Sequence, residues 1–104
     1  MLQFIKKMLG MGPDADFQAL MKKGAVIIDV RTTGEYNGGH IKNSTNIPLQ
    51  ELQSKLSKIK KDKPVITCCA SGMRSASAKA VLKAAGFTEV YNGGSWVGLQ
   101  QKIS

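Results

Sequence analysis

The chain has 104 residues, 42% hydrophobic and 21% charged, with a net charge of +8 and a pI of about 9.7; this fits one domain and leaves no room for an ordinary second one. Its two cysteines, Cys68 and Cys69, are adjacent and it has a single histidine, which excludes a disulfide framework and a four-ligand structural zinc site and points to a reducing compartment, the cytoplasm. The lysines are spread along the chain (Lys6, Lys7, Lys22, Lys23, then Lys55 to Lys63) and aromatics are few, so the charge suits a small anion or an acidic protein partner rather than nucleic acid.

Residues 1–12 read as a short extension. Phe4, Ile5, Met8 and Leu9 can share one helical face, while Lys6 and Lys7 interrupt the apolar run, unlike a signal peptide. No apolar run approaches the ~20 residues of a membrane-spanning helix. Pro13-Asp14 marks a helix start with Asp14 as cap; Phe17, Leu20 and Met21 then share a face, and Gly24 stops the helix. Ala25 to Val30 is a continuous β-branched run, the pattern of a strand buried on both faces. Gly34 to Gly39 reads as a turn-rich connection and Asn46-Ile47-Pro48 as extended chain. Leu49, Leu52, Leu56 and Ile59 keep helical spacing against a lysine-rich side.

Val65 to Cys69 forms a second buried strand, Ala70 to Met73 a loop, and Arg74 or Ser75 begins a helix that Gly86 ends. Thr88 to Tyr91 is a third strand, Asn92-Gly93-Gly94 a turn, and Ser95-Trp96 opens a last short helix. Alternation of strands and helices predicts an α/β domain with a mainly parallel sheet. In such sheets ligands sit beyond the carboxyl ends of strands, where Cys69 falls.

A thiol at a strand end, followed by a tight loop and a helix, has a chemical reading. If the loop curls around the sulfur, its N–H groups form an anion-binding nest and the helix adds its positive end. Gly72 permits the backbone angles this needs, and Arg74 contributes a fixed charge. Such surroundings favour the thiolate, the nucleophilic form of cysteine.

The same residues carry a resemblance. Val65-Ile66-Thr67-Cys68-Cys69-Ala70-Ser71-Gly72-Met73-Arg74-Ser75-Ala76 resembles the active-site segment of rhodanese domains, in which a strand ends in Cys-x-x-Gly-x-Arg-Ser. Val26 to Arg31 with Glu35-Tyr36, Gly39-His40-Ile41 with Asn46-Ile47-Pro48, and Val90 to Trp96 are similar to three further family segments in the right order. The resemblance spans about residues 14–102, so residues 1–104 read as one rhodanese domain with a short extension at its start. It implies a five-stranded, mainly parallel sheet between helices, and a sulfurtransferase that needs no cofactor or metal.

Counted from Cys69, the Cys-to-Arg74 loop has the family length; counted from Cys68, it has the Cys-x5-Arg spacing of phosphatases and related arsenate reductases. Gly72 three residues after Cys69, and the lack of a His before Cys68, favour Cys69. The expected mechanism takes sulfane sulfur from thiosulfate onto a Cys69 persulfide and passes it to cyanide or a thiol. Ala70, Ser71, Gly72, Met73, Arg74 and Ser75 bind the donor, Arg74 orients it, and Asp29 and Arg31, with Glu35, form a supporting polar network. His40 and Trp96 are read as structural. The rival reading is a persulfide carrier serving an acidic protein partner.

Overall fold

The computed structural model describes residues 15–104. The helix start at Pro13-Asp14 and the apolar face of Phe4, Ile5, Met8 and Leu9 lie outside the described residues. Helix α1 (Phe17–Lys22) is capped by Asp16, whose Oδ1 accepts the Ala19 N–H at 3.1 Å. Strand β1 (Val26–Asp29) follows. The stretch expected as an irregular connection then forms helix α2 (Thr33–Asn37). Its cause is local: Thr32 Oγ1 accepts the Glu35 N–H at 3.2 Å, and Glu35 Oε1 accepts the Thr32 N–H at 3.0 Å. This reciprocal cap closes a helix that has no apolar stripe to announce it.

Strand β2 (Thr45–Asn46) is short, and helix α3 (Leu49–Leu52) tightens into a 3-10 segment, Gln53–Lys58. Strand β3 (Val65–Cys69), helix α4 (Met73–Ala84), strand β4 (Val90–Ser95) and helix α5 (Trp96–Ile103) complete the chain. The sheet is parallel, in the order β2-β1-β3-β4. Among the described residues it has four strands rather than the expected five.

Side-chain alternation along β3 divides the core. Val65 and Cys69 pack with Ile28, Val30, Leu52, Ala78, Leu82 and Val90 on the face covered by α3 and α4. Ile66 and Cys68 pack with Ile27, Phe17, Leu20 and Leu99 on the face covered by α1 and α5. The two cysteines therefore face opposite sides of the sheet.

Asn92-Gly93-Gly94, expected as a turn, lies inside β4. Thr67 pairs with Asn92, but Cys69 pairs with Ser95, so β4 carries one extra residue at this point. Gly93 is what lets the strands close: a Cβ there would stand 2.8 Å from Leu99 Cδ2 and 2.9 Å from both Ile66 Cγ2 and the Thr67 carbonyl oxygen. Gly93→Ala is expected to destabilise the fold by about 1–3 kcal/mol through overpacking, read as a lower midpoint in urea unfolding.

Candidate active site

Strand β3 delivers Cys69 to the carboxyl end of the sheet, and the loop to α4 turns back over its sulfur. Cys69 Sγ accepts the N–H of Gly72 at 2.9 Å and that of Ser75 at 3.4 Å. Gly72 makes this possible: its φ of +102° is left-handed, which turns the loop sharply just before α4 begins. The first turn of α4 leaves its own N–H groups unpaired by the helix, so its positive end points into the loop. Cys69 has no exposed surface, and its side chain also touches the apolar core.

Ser75, fully buried, is the hub beneath the sulfur. Its Oγ lies 3.5 Å from Cys69 Sγ, 2.6 Å from Asn92 Oδ1 and 3.1 Å from the Gly72 carbonyl oxygen. A hydroxyl has one proton. Beside a neutral thiol, Ser75 accepts the S–H and donates to Asn92. Beside a thiolate, it turns that proton to sulfur. Asn92 holds the frame in either case: Oδ1 accepts the Gly94 N–H at 2.9 Å and Nδ2 donates to the Gly72 carbonyl at 3.3 Å. In the sequence Asn-Gly-Gly signals a turn, and nothing in it distinguishes a turn amide from one bracing a loop across the sheet.

Burial pushes the Cys69 thiol up, but the Ser75 hydroxyl and N–H and the Gly72 and Ser71 N–H groups outweigh it and leave the thiol more acidic than usual. Cys68 is the opposite case. Burial, followed by the charge of Asp29, pushes its thiol up to about 12.

Arg74 follows the loop, yet its guanidinium is turned to α2. Nη1 and Nη2 donate to the two carboxylate oxygens of Glu35 at 2.7 and 3.0 Å, with both side chains 37% exposed. Arg74, helped by the Thr32 N–H and hydroxyl, holds the Glu35 carboxyl at about 2. The Glu35–Arg74 pair was not legible in the sequence, which grouped Glu35 with Asp29 and Arg31.

Asp29 and Arg31 form a separate, buried pair. Asp29 accepts from Arg31 N at 3.0 Å, Nε at 3.0 Å and Nη2 at 2.8 Å. Arg31 also donates to the carbonyls of Gly39 (2.7 Å) and Glu35 (3.3 Å) and lies 4.8 Å over the Trp96 ring. These contacts tie the end of β1 to α2, the Gly39 turn and α5. His40 donates through Nδ1 to the Tyr36 carbonyl at 2.7 Å and stacks on the Tyr36 ring at 3.7 Å. Ala70, Ser71 and Met73 form the exposed rim of the loop, Met73 being 79% exposed. Lys58, Lys60 and Lys63 gather with Val26, Thr45 and Ile59 around a cavity of about 250 Å³ beside the starts of β1 and β3. That is the other end of the strand from Cys69. Among the described residues no cluster of His, Cys, Asp or Glu could hold a metal, and no helix is long and apolar enough to cross a membrane.

The model of the rhodanese-like domain matches residues 14–102. The chain belongs to the rhodanese-like domain family. It is 35% identical over 80 residues to the thiosulfate sulfurtransferase GlpE of Pseudomonas savastanoi pv. phaseolicola, covering 77% of this chain and 76% of that protein. It is 42% identical over 79 residues to the uncharacterized protein YqhL of Bacillus subtilis, covering 76% of this chain but only 62% of that relative's length. The human single-domain sulfurtransferase TSTD1 superposes with a TM-score of 0.67 at 27% identity, over 83% of this chain and 90% of that one. The family thus includes sulfurtransferases of this size, alongside proteins with other names.

Two outcomes follow from this geometry. Alkylation of Cys69 by iodoacetamide should reach half its plateau rate below the ordinary thiol value of 9.0, because its pKa is lowered, whereas Cys68 should stay unreactive until pH nears its value of about 12. Ser75→Ala should move the Cys69 curve to higher pH by removing a donor to the thiolate. Rates read by peptide mass spectrometry across pH check both. Separately, Asp29→Ala strands the Arg31 guanidinium, whose side chain is 5% exposed. The expected loss is about 3–5 kcal/mol in chemical denaturation.

Proposed function

We propose that the chain is a sulfurtransferase that carries sulfane sulfur as a persulfide on Cys69, loaded from a donor such as thiosulfate and passed to a thiol or, in an assay, cyanide. The observation that carries the reading is the pair of N–H groups, from Gly72 and Ser75, directed at a thiol at the end of a parallel strand. They lower the cost of a negative charge on Cys69 Sγ, which both the resting thiolate and the thiolate released in the second half-reaction require.

In the first half-reaction the Cys69 thiolate attacks the outer sulfur of thiosulfate. A new S–S bond forms, the old sulfur–sulfur bond breaks, and sulfite leaves with the electron pair. In the second, the acceptor attacks the outer persulfide sulfur, and the electron pair of the breaking bond returns to Cys69 as thiolate. No general base is needed once the thiol is ionised. Ser75 supplies a hydroxyl to the Cys69 thiolate, and Asn92 holds the loop that presents the N–H groups. Ala70 through Ser75 form the donor site, with Arg74 at its edge. No cofactor or metal enters these steps.

An exposed Met73 beside the thiol favours a protein as the other reactant in the cell, so that the chain acts as a persulfide carrier. An acidic partner would find the lysines at the far end of the sheet. The phosphatase or arsenate reductase reading from Cys68 is disfavoured, since that thiol faces α1 and α5 and ionises only near pH 12. The unpaired thiols suit the reducing cytoplasm.

Cys69→Ser should lower thiosulfate:cyanide sulfur transfer by more than about 10³-fold, the scale of nucleophile loss, with an unchanged unfolding midpoint. Intact-mass measurement after thiosulfate should show one added sulfur on the wild-type chain and none on the variant. Hydrolysis of p-nitrophenyl phosphate without sulfur transfer, or full activity in Cys69→Ser, would overturn the proposal.

A further inference from the structure

The donor site contains a contradiction of charge. Arg74, in the first turn of α4, is the one cation between Cys69 and Ala78, and the chain as a whole is strongly basic. Yet the guanidinium does not stand free to receive an anion. Two parallel hydrogen bonds, 2.7 and 3.0 Å long, commit it to Glu35. This two-pronged geometry is the strongest that arginine and a carboxylate form. Glu35 is itself held in place: Thr32 N–H and hydroxyl donate to the same Oε1 at 3.0 and 3.1 Å, and the Glu35 carbonyl accepts from Arg31. The carboxylate therefore belongs to a braced helix end, while the arginine is the longer, more mobile partner. Lys58, Lys60 and Lys63 gather at the opposite end of the strands.

We infer that Glu35 is a specificity-determining residue that competes with the substrate for Arg74 and so selects against small dianionic sulfur donors in favour of donors with less negative charge. Thiosulfate places two negative charges next to the sulfur it gives up. To gain Arg74 it must displace a carboxylate already bonded to it, and then lie beside that carboxylate. A monoanionic donor, such as a persulfide or a thiosulfonate on an organic group, meets a lip that is neutral at the Glu35–Arg74 pair and apolar at Met73. Glu35 acts through Arg74 and touches no reacting atom, so it is a positioning residue.

The inference rests on the reading of Cys69 as the reactive thiol, and Glu35→Gln tests it. Glutamine keeps the acceptor that caps α2, so the helix end survives, and only the charge is lost. Two pairs of probes differ in charge but share their chemistry: thiosulfate against benzenethiosulfonate as sulfur donors, and iodoacetate against iodoacetamide as alkylating agents. In Glu35→Gln the preference for the more charged member of each pair should rise about two- to fivefold, the scale of an exposed ion pair. For thiosulfate the gain should fall on KM, with kcat unchanged. Taking ratios cancels any change in thiolate fraction, which a merely structural effect would alter equally for both probes. Unchanged ratios, or a fall in thiosulfate kcat/KM, would overturn the inference. If sulfur transfer is absent from both proteins while the alkylation ratio still shifts, the sulfurtransferase reading fails and the role of Glu35 at the thiol stands.

Discussion

The hydrogen bond from Gly72 N–H to Cys69 Sγ, 2.9 Å long, is the contact on which the site depends. It exists because three things coincide. Strand β3 ends at Cys69, Gly72 turns the chain through a left-handed conformation, and α4 starts at the next residue. The rest of the domain can be read as support for that coincidence. Thr67, two residues back on the same face, donates through Oγ1 to the Ser75 carbonyl at 2.8 Å, so the strand holds the helix start directly. The extra residue in β4 brings Gly94 beneath Gly72 and Asn92 alongside Ser75.

A second, independent scaffold fixes the other wall. The buried Asp29–Arg31 pair would by itself be a weak contributor to stability, since desolvation offsets much of its attraction. Its value here is placement. Arg31 bonds backbone carbonyls on α2 and the Gly39 turn while stacking on Trp96, so one guanidinium sets the position of the helix from which Glu35 reaches Arg74.

Local signals in the sequence were sufficient for the two central strands and the loop. Val65 to Cys69 and Ala25 to Val30 announced themselves by unbroken β-branched runs, and Gly72 by its position between a strand and a helix. What was illegible either lacked an apolar pattern or depended on partners distant in the chain. Helix α2 has no apolar periodicity and is held by local bonds, the Thr32–Glu35 cap and the Arg31 guanidinium on the Glu35 carbonyl. Gly93 looks like a turn glycine until the packing of Leu99 and Ile66 against it is known. Glu35 and Arg74 are separated by 39 positions, and nothing in either neighbourhood names the other. The fifth strand implied by family resemblance likewise has no counterpart among the described residues.

The split of Cys68 and Cys69 across the sheet has a redox consequence. These are the chain's two cysteines, and the sheet itself stands between their side chains. When Cys69 is oxidised to a sulfenic acid, Cys68 cannot reach across the sheet to condense with it. A disulfide that shields Cys69 from further, irreversible oxidation therefore needs a thiol other than Cys68.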